Sequence, residues 1–512
     1  MNDLTKIAQL KDDGMKKALE TSKSVAGPAF IELPGFQGND KLLWGLILGV
    51  ITFWLFAQTT LNIAPEMGRD LGLEANAMNI AVAITSLFSG IFIVVVGGLA
   101  DRVGRIKIVN VGFYLSIVGS LLVGLAPRGA MASAFLLTGR ALQGLSGACI
   151  MPASLALVKT YWAGAQRQRA VSLWSIGSWG GSGLCSLFGG LVAQNLGWRY
   201  IFFASVVVAI IGLMMIHGTP ESKAKSQKDY KFDIAGVICF MIAMVALQIL
   251  VTQGNKLGWT SPSALVLAAL TVIFGILFLR VEHRTPGPFI DFTLFRNATF
   301  TGATLSNFLL NAVAGTLIVS LELVQLGGNM TAQQAGMLTL GYAIAIIVFI
   351  RAGEKLLQHF GARRPMIWGT LIAGLAILFL SPANLMLSDY KILAIIGYTL
   401  YGLGLAIYAT PSTDAALSSL PATQAGSGSG IYKMASSLGA AFGVAISAAI
   451  FTALSASTDS ARWLEGVITF RGRQDNLAVR QAAIIALMFN VFMAAVAIMS
   501  IMLTIPKGKE KG

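Results

Sequence analysis

Charge is what this sequence lacks most. Only 12% of its 512 residues are Asp, Glu, Lys or Arg, against 55% hydrophobic ones, where soluble domains carry roughly 25% charged residues. A water-soluble chain of this length could not cover its surface with so few charges, which excludes a large soluble α/β enzyme. Cysteine is scarce too: Cys149, Cys185 and Cys239 all fall inside apolar stretches, giving neither a disulfide framework nor metal-ligand spacing. His217, His283 and His359 stand at separate helix ends without partner spacing, so no metal site and no cofactor is expected. No phosphate-binding G-x-x-x-x-G-K-[ST] loop occurs; the nearest run, Gly426-Ser-Gly-Ser-Gly430, continues into Ile431-Tyr432-Lys433. No soluble stretch is long enough for a nucleotide-binding domain, so ATP is not an expected partner. The net charge of +14 is not gathered into basic patches with interleaved aromatics, which argues against nucleic acid. Nor does an apolar run open the chain. Residues 1–42 hold six Lys and six acids, which reads as a cytoplasmic tail and not as a cleavable signal peptide.

Glycine, in contrast, is abundant, with 56 residues against 14 prolines. That balance suits membrane helices, in which small residues let backbones approach. About 20 mostly apolar residues cross a hydrocarbon core roughly 30 Å thick. Such stretches fall near 43–64, 79–100, 107–126, 133–158, 170–192 and 199–217, then near 232–252 and 263–281. Six more lie near 299–324, 333–352, 366–383, 390–411, 429–452 and 483–505. The expected organisation is a tail (1–42), a six-helix bundle (43–217), two inserted helices with their loops (218–298), a second six-helix bundle (299–505) with an outer loop at 453–482, and a C-terminal tail (506–512). With both ends in the cytoplasm, 26 of the 37 Lys and Arg fall in inner segments and 9 in outer ones, while Arg140 and Lys433 lie within helices. This asymmetry supports that orientation.

A few polar residues stand out against the apolar background. Arg140, followed by Gln143, sits at the centre of the fourth helix, where an arginine costs about 2.5–3.5 kcal/mol on insertion scales; it must face water, a carboxylate or substrate. Glu322 ends a long apolar run in the ninth helix, as the carboxylate best placed to carry a proton or as an acid at the outer helix end. Asp414 follows Pro411 at the cytoplasmic end of the twelfth helix. Lys433 is the other deep charge, expected to bind an anionic group such as a carboxylate or to pair with a neighbouring acid. Gln58 and Asn62 are the strong polar groups of the first helix. With Trp54, Trp174, Trp179 and Tyr432 they are candidates to line an apolar pocket.

The run Gly97-Gly-Leu-Ala-Asp101-Arg102-Val-Gly104-Arg105-Ile-Lys107 forms a tight basic turn between the second and third helices. It resembles the signature loop of the major facilitator superfamily, G-x-x-x-D-[RK]-x-G-[RK]-x-[RK], at every defined position. The resemblance implies a latch, in which Asp101, Arg102 and Arg105 pair against neighbouring helices. Arg140 with Gln143-Gly144 is similar to a second motif of that family, which implies a part in proton coupling. Gly353-Glu354 to Gly361-Ala-Arg363-Arg364 is a weaker copy of the first loop in the second half. In the fifth helix the drug exporters of the family carry G-x-x-x-G-P-x-x-G-G. Here Gly177, Gly181, Gly189 and Gly190 keep a glycine packing face, but Cys185-Ser186 replaces the Gly-Pro pair, so a proline kink is not expected. The runs 49–58, 174–190, 408–414 and 431–439 resemble the staphylococcal quinolone exporters of the fourteen-helix drug:proton antiporter branch.

The expected fold is therefore all-α, with fourteen membrane helices working by alternating access as a monomer in the bacterial cytoplasmic membrane. The expected partners are small drug molecules, protons and the lipid bilayer. A facilitator for a metabolite, peptide or lipid precursor is the alternative, because the first helix lacks an acid. A membrane enzyme or a sensor is disfavoured by the absence of a His, Cys or Asp cluster.

Overall fold

A computed structural model describes residues 36–223, 233–285, 290, 292–455, 462–472 and 476–507. The N-terminal tail before residue 36, part of the 218–298 linker and parts of loop 453–482 lie outside the described residues. Among the described residues every regular element is a helix. The first group comprises α1 (Asp40–Ile51), α2 (Thr60–Leu71), α3 (Ala75–Val103), α4 (Arg105–Gly124), α5 (Ala132–Tyr161), α6 (Gly164–Ser175), α7 (Gly181–Asn195) and α8 (Arg199–Ile216). Then come α9 (Ile234–Leu257) and α10 (Pro262–Arg284). The second group comprises α11 (Ala298–Ala312), α12 (Gly315–Glu322), α13 (Ala332–Leu338), α14 (Leu340–Phe360), α15 (Arg363–Leu380), α16 (Leu387–Ser419), α17 (Ala425–Ser455) and α18 (Leu477–Thr504).

Among the described residues, thirteen helical stretches are long and apolar enough to cross a membrane. The stretch expected at 170–192 is a further helix running through α6 and α7. It begins with the polar run Gly164-Ala-Gln-Arg-Gln-Arg169 and is rich in Gly and Ser, which keeps its apolarity low. Within each group small residues set the helix crossings. A Cβ at Gly119 or Gly139 would lie 2.8 Å from the other's carbonyl oxygen, joining α4 to α5, and Gly369 with Gly404 joins α15 to α16 at 2.6 Å. The pair α9 and α10 pack on each other, and α9 also touches both α3 and α17. The groups meet mainly along α3 with α17, α5 with α17 and α6 with α14.

Three π-helical turns interrupt the helices, at Thr52–Ala57, Ile176–Gly180 and Leu323–Gly327. The first breaks the expected span 43–64, and the chain resumes as α2 until the left-handed Gly72 (φ +70°) ends it. The second lies in the fifth helix of the sequence reading, so that helix is irregular without a proline. α18 starts at Leu477, so Arg480, expected in the outer loop, is a helix residue.

Candidate substrate site and latch

Two of the π turns pack on each other within the first group, at its boundary with the second. Trp54 from the first and Ser178 and Trp179 from the second line a cavity of about 180 Å³ between the two groups. Ser182 completes the first group's wall. The opposite wall comes from Asn311, Leu317, Tyr342, Tyr401, Lys433, Ser436 and neighbouring apolar residues. A π turn leaves backbone groups out of the i→i−4 ladder, and such turns cluster at functional sites. Drug-sized ligands occupy pockets of about 300–1,000 Å³, so this cavity must widen to admit one.

Lys433 carries the cavity's charge. It is buried at 4% exposure, and its Nζ lies 4.5 Å from the centroid of the Trp174 ring and 5.8 Å from that of Tyr432. A desolvated cation–π contact is worth about 2 kcal/mol, whereas taking an ion out of water costs several. The aromatic faces therefore leave the ammonium short of compensation, and an anion in the cavity would supply it. Arg140 is the opposite case. It is fully buried, and its Nε donates to Ala81 O (3.0 Å) and one Nη to Ala57 O (2.7 Å) and Gln143 Oε1 (2.8 Å). Ala57 ends the first π turn, so Arg140 occupies the carbonyl that the turn frees. Three charge-assisted bonds at about 1.5–3 kcal/mol each outweigh the roughly 2.5–3.5 kcal/mol of insertion. Gln143 Nε2 passes the network on to Ser120 Oγ at 3.1 Å.

The expected latch residues lie where the two groups meet at one end of the molecule. The Asp101 carboxylate accepts from the backbone N–H of Gly426 (2.9 Å) and Ser427 (3.0 Å), the first turn of α17, and from Arg105 Nε (2.9 Å) and Nη (2.7 Å). An acid at a helix N-terminus meets unpaired N–H groups and the positive end of the dipole. Arg105, fully buried, also donates to Ala422 O at 2.8 Å. α3 and α17 cross so closely that a Cβ on Gly97 would lie 2.5 Å from Gly426 O. Gly104 adopts φ +131°, and a Cβ there would stand 2.5 Å from the Glu221 carboxylate, which accepts from the N–H of Ile106 (2.9 Å) and Lys107 (3.0 Å). At the same end Arg167 pairs with Asp414 at 2.9 Å and Lys159 Nζ reaches Ser418 O at 3.4 Å, both across the groups.

The other expected residues scatter around this frame. Trp174 is buried behind Lys433, and the Tyr432 hydroxyl bonds Ser412 (2.9 Å) and Thr413 (3.3 Å), away from the lining. Gln58 and Asn62 do not line the cavity; Asn62 is exposed and its amide reaches Cys185 Sγ at 3.9 Å. Glu322 ends α12, half-buried, outside the cavity lining. Arg102 is half-buried on the latch turn, and Lys107 joins through its backbone. A Cβ on Gly177 or Gly181 would lie 3.2 Å from the Ile47 or Trp54 side chain and one on Gly189 would meet Thr59, whereas Gly190 faces open space: helical rotation turns it off the packing face. Sequence reasoning missed Tyr342, Asn311 and Glu221. A charge match between Arg167 and Asp414, both assigned to one side, could have found that pair.

The chain matches the Major Facilitator Superfamily over residues 46–444. It is 47% identical over 475 residues to the quinolone resistance protein NorB of Staphylococcus aureus strain MRSA252, covering 93% of this chain and 98% of that protein. The NorB protein of strain MSSA476 is also 47% identical, over 477 residues. Among solved structures, the proton:xylose symporter XylE has a TM-score of 0.59 at 15% identity, covering 92% of this chain and 96% of that one. The human organic anion transporter MFSD10 has a TM-score of 0.57 at 14% identity, covering 89% and 98%. The fold is thus the all-helical one of those transporters, and this multi-pass membrane protein belongs to the Major Facilitator Superfamily.

Proposed function

We propose that this chain is an efflux pump for amphipathic drugs, quinolones first among them, exchanging each for protons by alternating access. Its proposed place is the bacterial cytoplasmic membrane, as a monomer of fourteen spans with both chain ends and the latch on the cytoplasmic side. It would use no ATP and perform no covalent chemistry. The proposed units are the six-helix bundles 43–217 and 299–505, with 218–298 inserted between them. Near-full-length identity to quinolone resistance proteins supports the substrate class. The observation that carries the reading is Lys433: a buried cation at an aromatic-lined cavity between the two groups. A quinolone presents a carboxylate to such a cation and a flat ring to Trp54, Trp179 and Tyr342.

Coupling needs a carboxylate that gains and loses its proton during the cycle. None of the described cavity-lining side chains is an acid. The proposed carriers are therefore Asp414 and Glu322. Protonation of Asp414 would cancel its attraction to Arg167 and loosen the cytoplasmic end, while Arg140 and Gln143 hold the first helix in register. Norfloxacin efflux from everted vesicles or proteoliposomes under an imposed pH gradient tests this. Gradient-driven transport should fall in Arg140→Ala, Asp414→Asn or Glu322→Gln and lose quinolone affinity in Lys433→Met. A second reading, a metabolite facilitator, is favoured by the missing acid in the first helix. A folded wild type that moves no quinolone, dye or quaternary ammonium would establish it.

A further inference from the structure

The contact between Lys433 and Trp174 crosses the interface between the two groups. Lys433 belongs to α17 of the second group and Trp174 to α6 of the first. The indole is fully buried and does not line the cavity, so it stands behind the ammonium. Its orientation is fixed: Nε1 donates to Ser154 Oγ on α5 at 2.9 Å, and that hydroxyl donates to Met151 O at 2.9 Å. Beside it the two groups are closely joined, with Ser429 Oγ donating to Pro152 O at 3.0 Å and Gly430 against Ile93 O. The π face the lysine rests on is therefore anchored in the other half of the molecule.

We infer that Trp174 is a positioning residue through which the cavity reads a substrate's negative charge: it holds the Lys433 ammonium at the cavity wall only while the two groups are closed on each other. This rests on the reading of the cavity as the drug site. A carboxylate at Lys433 competes with the ring for the ammonium, so anion binding and closure become linked, each changing the other by the same factor. A substrate without an anionic group has no such lever, because a ligand shifts an equilibrium only by its differential affinity for the two states. Trp174 thus sets preference among substrates without touching them.

Transport of norfloxacin, which has a carboxylate, and of ethidium, a cation without one, in proteoliposomes separates this role from simple packing. Trp174→Leu removes the π face and should change the ratio of the norfloxacin KM to the ethidium KM by about tenfold, with the ratio of the two kcat values held within about twofold. Trp174→Phe keeps a π face and should restore most of the norfloxacin KM, while Ser154→Ala, which frees the ring to turn, should fall between. Equal changes for both substrates, or a Phe variant as impaired as Leu, would overturn the inference. Should the wild type move neither compound, the drug-site reading fails and fluorescence decides this one. Benzoate titrated into purified protein should then change the emission assigned to Trp174 (wild type minus Trp174→Phe) and leave it unchanged in Lys433→Met. No benzoate-dependent difference would sink it.

Discussion

The two groups carry related loops at the same end, and the loops do different things. In the first group Asp101 reaches across to cap α17, with Arg105 binding both Asp101 and Ala422. In the second, the corresponding acid Glu354 stays on its own helix. It is buried, 3.2 Å from Arg351 Nε, and accepts from Gln358 at 3.3 Å. Gly353 packs on Ala406 O of its own group, whereas Gly97 packs on Gly426 of the other. The hydrogen bonds of one loop clasp the two groups together and those of the other brace its own helix, Glu354 reaching the first group only as a charge near Arg169. Opening this end must therefore break the Asp101 contacts, and can leave those of Glu354 intact.

The largest effect expected is at that clasp. Asp101→Asn removes a charge from a buried pair, and breaking such pairs costs about 3–5 kcal/mol. Turnover should fall at least tenfold, and spin-label distances across the latch end should lengthen. Glu354→Gln should keep turnover within about twofold; equal loss in both variants would erase the distinction drawn between the loops. Next comes Gly104→Ala, which meets both the positive φ and the Glu221 carboxylate. Strain of this kind costs about 1–3 kcal/mol. The thermal midpoint in detergent should drop, and adding Glu221→Ala should recover part of the loss, since the contact disappears while the backbone strain stays.

The asymmetry between the loops explains what the sequence could and could not tell. The span pattern and the 97–107 motif are local or compositional, so an all-helical, multi-span fold and the acid of the clasp are legible in the sequence. The partner of that acid was not. Gly426 lies 325 residues away and contributes a backbone N–H, which leaves no signature in side-chain chemistry. The π turns were hidden for a related reason: nothing in Thr52-Phe-Trp-Leu-Phe-Ala57 forbids a regular helix, and Arg140 stabilises the freed carbonyl from another helix. Lys433 and Trp179, which line the cavity, are legible as candidates because charge and aromatics stand out in apolar helices. Gln58 and Asn62 stood out equally, but helical rotation turns them off the cavity.

Between clasp and brace stands the Arg167–Asp414 pair, which crosses the groups with one bond where Asp101 uses several. Arg167→Gln or Asp414→Asn should each lower the norfloxacin rate by a few-fold. The exchange Arg167→Asp with Asp414→Arg should restore closure but not proton coupling, if the acid must sit on α16 to be reached. A restored pH-driven rate in the exchange variant would show that only the pairing matters.

The smallest effect lies at the far end, where the groups differ again. There the first group gathers cations around an acid: Asp70 pairs with Arg128 and Arg199 and accepts from Trp198 Nε1 at 3.1 Å. The second group gathers carbonyls around a cation, Arg480 donating to Ala383 O (2.6 Å), Leu385 O (3.1 Å) and Arg471 O (2.7 Å). Partial burial raises the Asp70 pKa, but the hydrogen bonds from Arg199, Arg128 and Trp198 outweigh it and hold the carboxyl at about 2. A folded-state pKa below the unfolded value of 3.8 gives stability that is complete above pH 4 or so and lost as pH falls toward 2. Asp70→Asn should therefore lower the thermal midpoint slightly at pH 7, and the gap to wild type should narrow at pH 3. Carbonyls do not titrate, so Arg480→Met should cost the same at both pH values. A gap for Asp70→Asn that stays constant from pH 7 to pH 3 would mean that the ionised carboxylate contributes nothing to the join, and that the two ends are held by geometry alike.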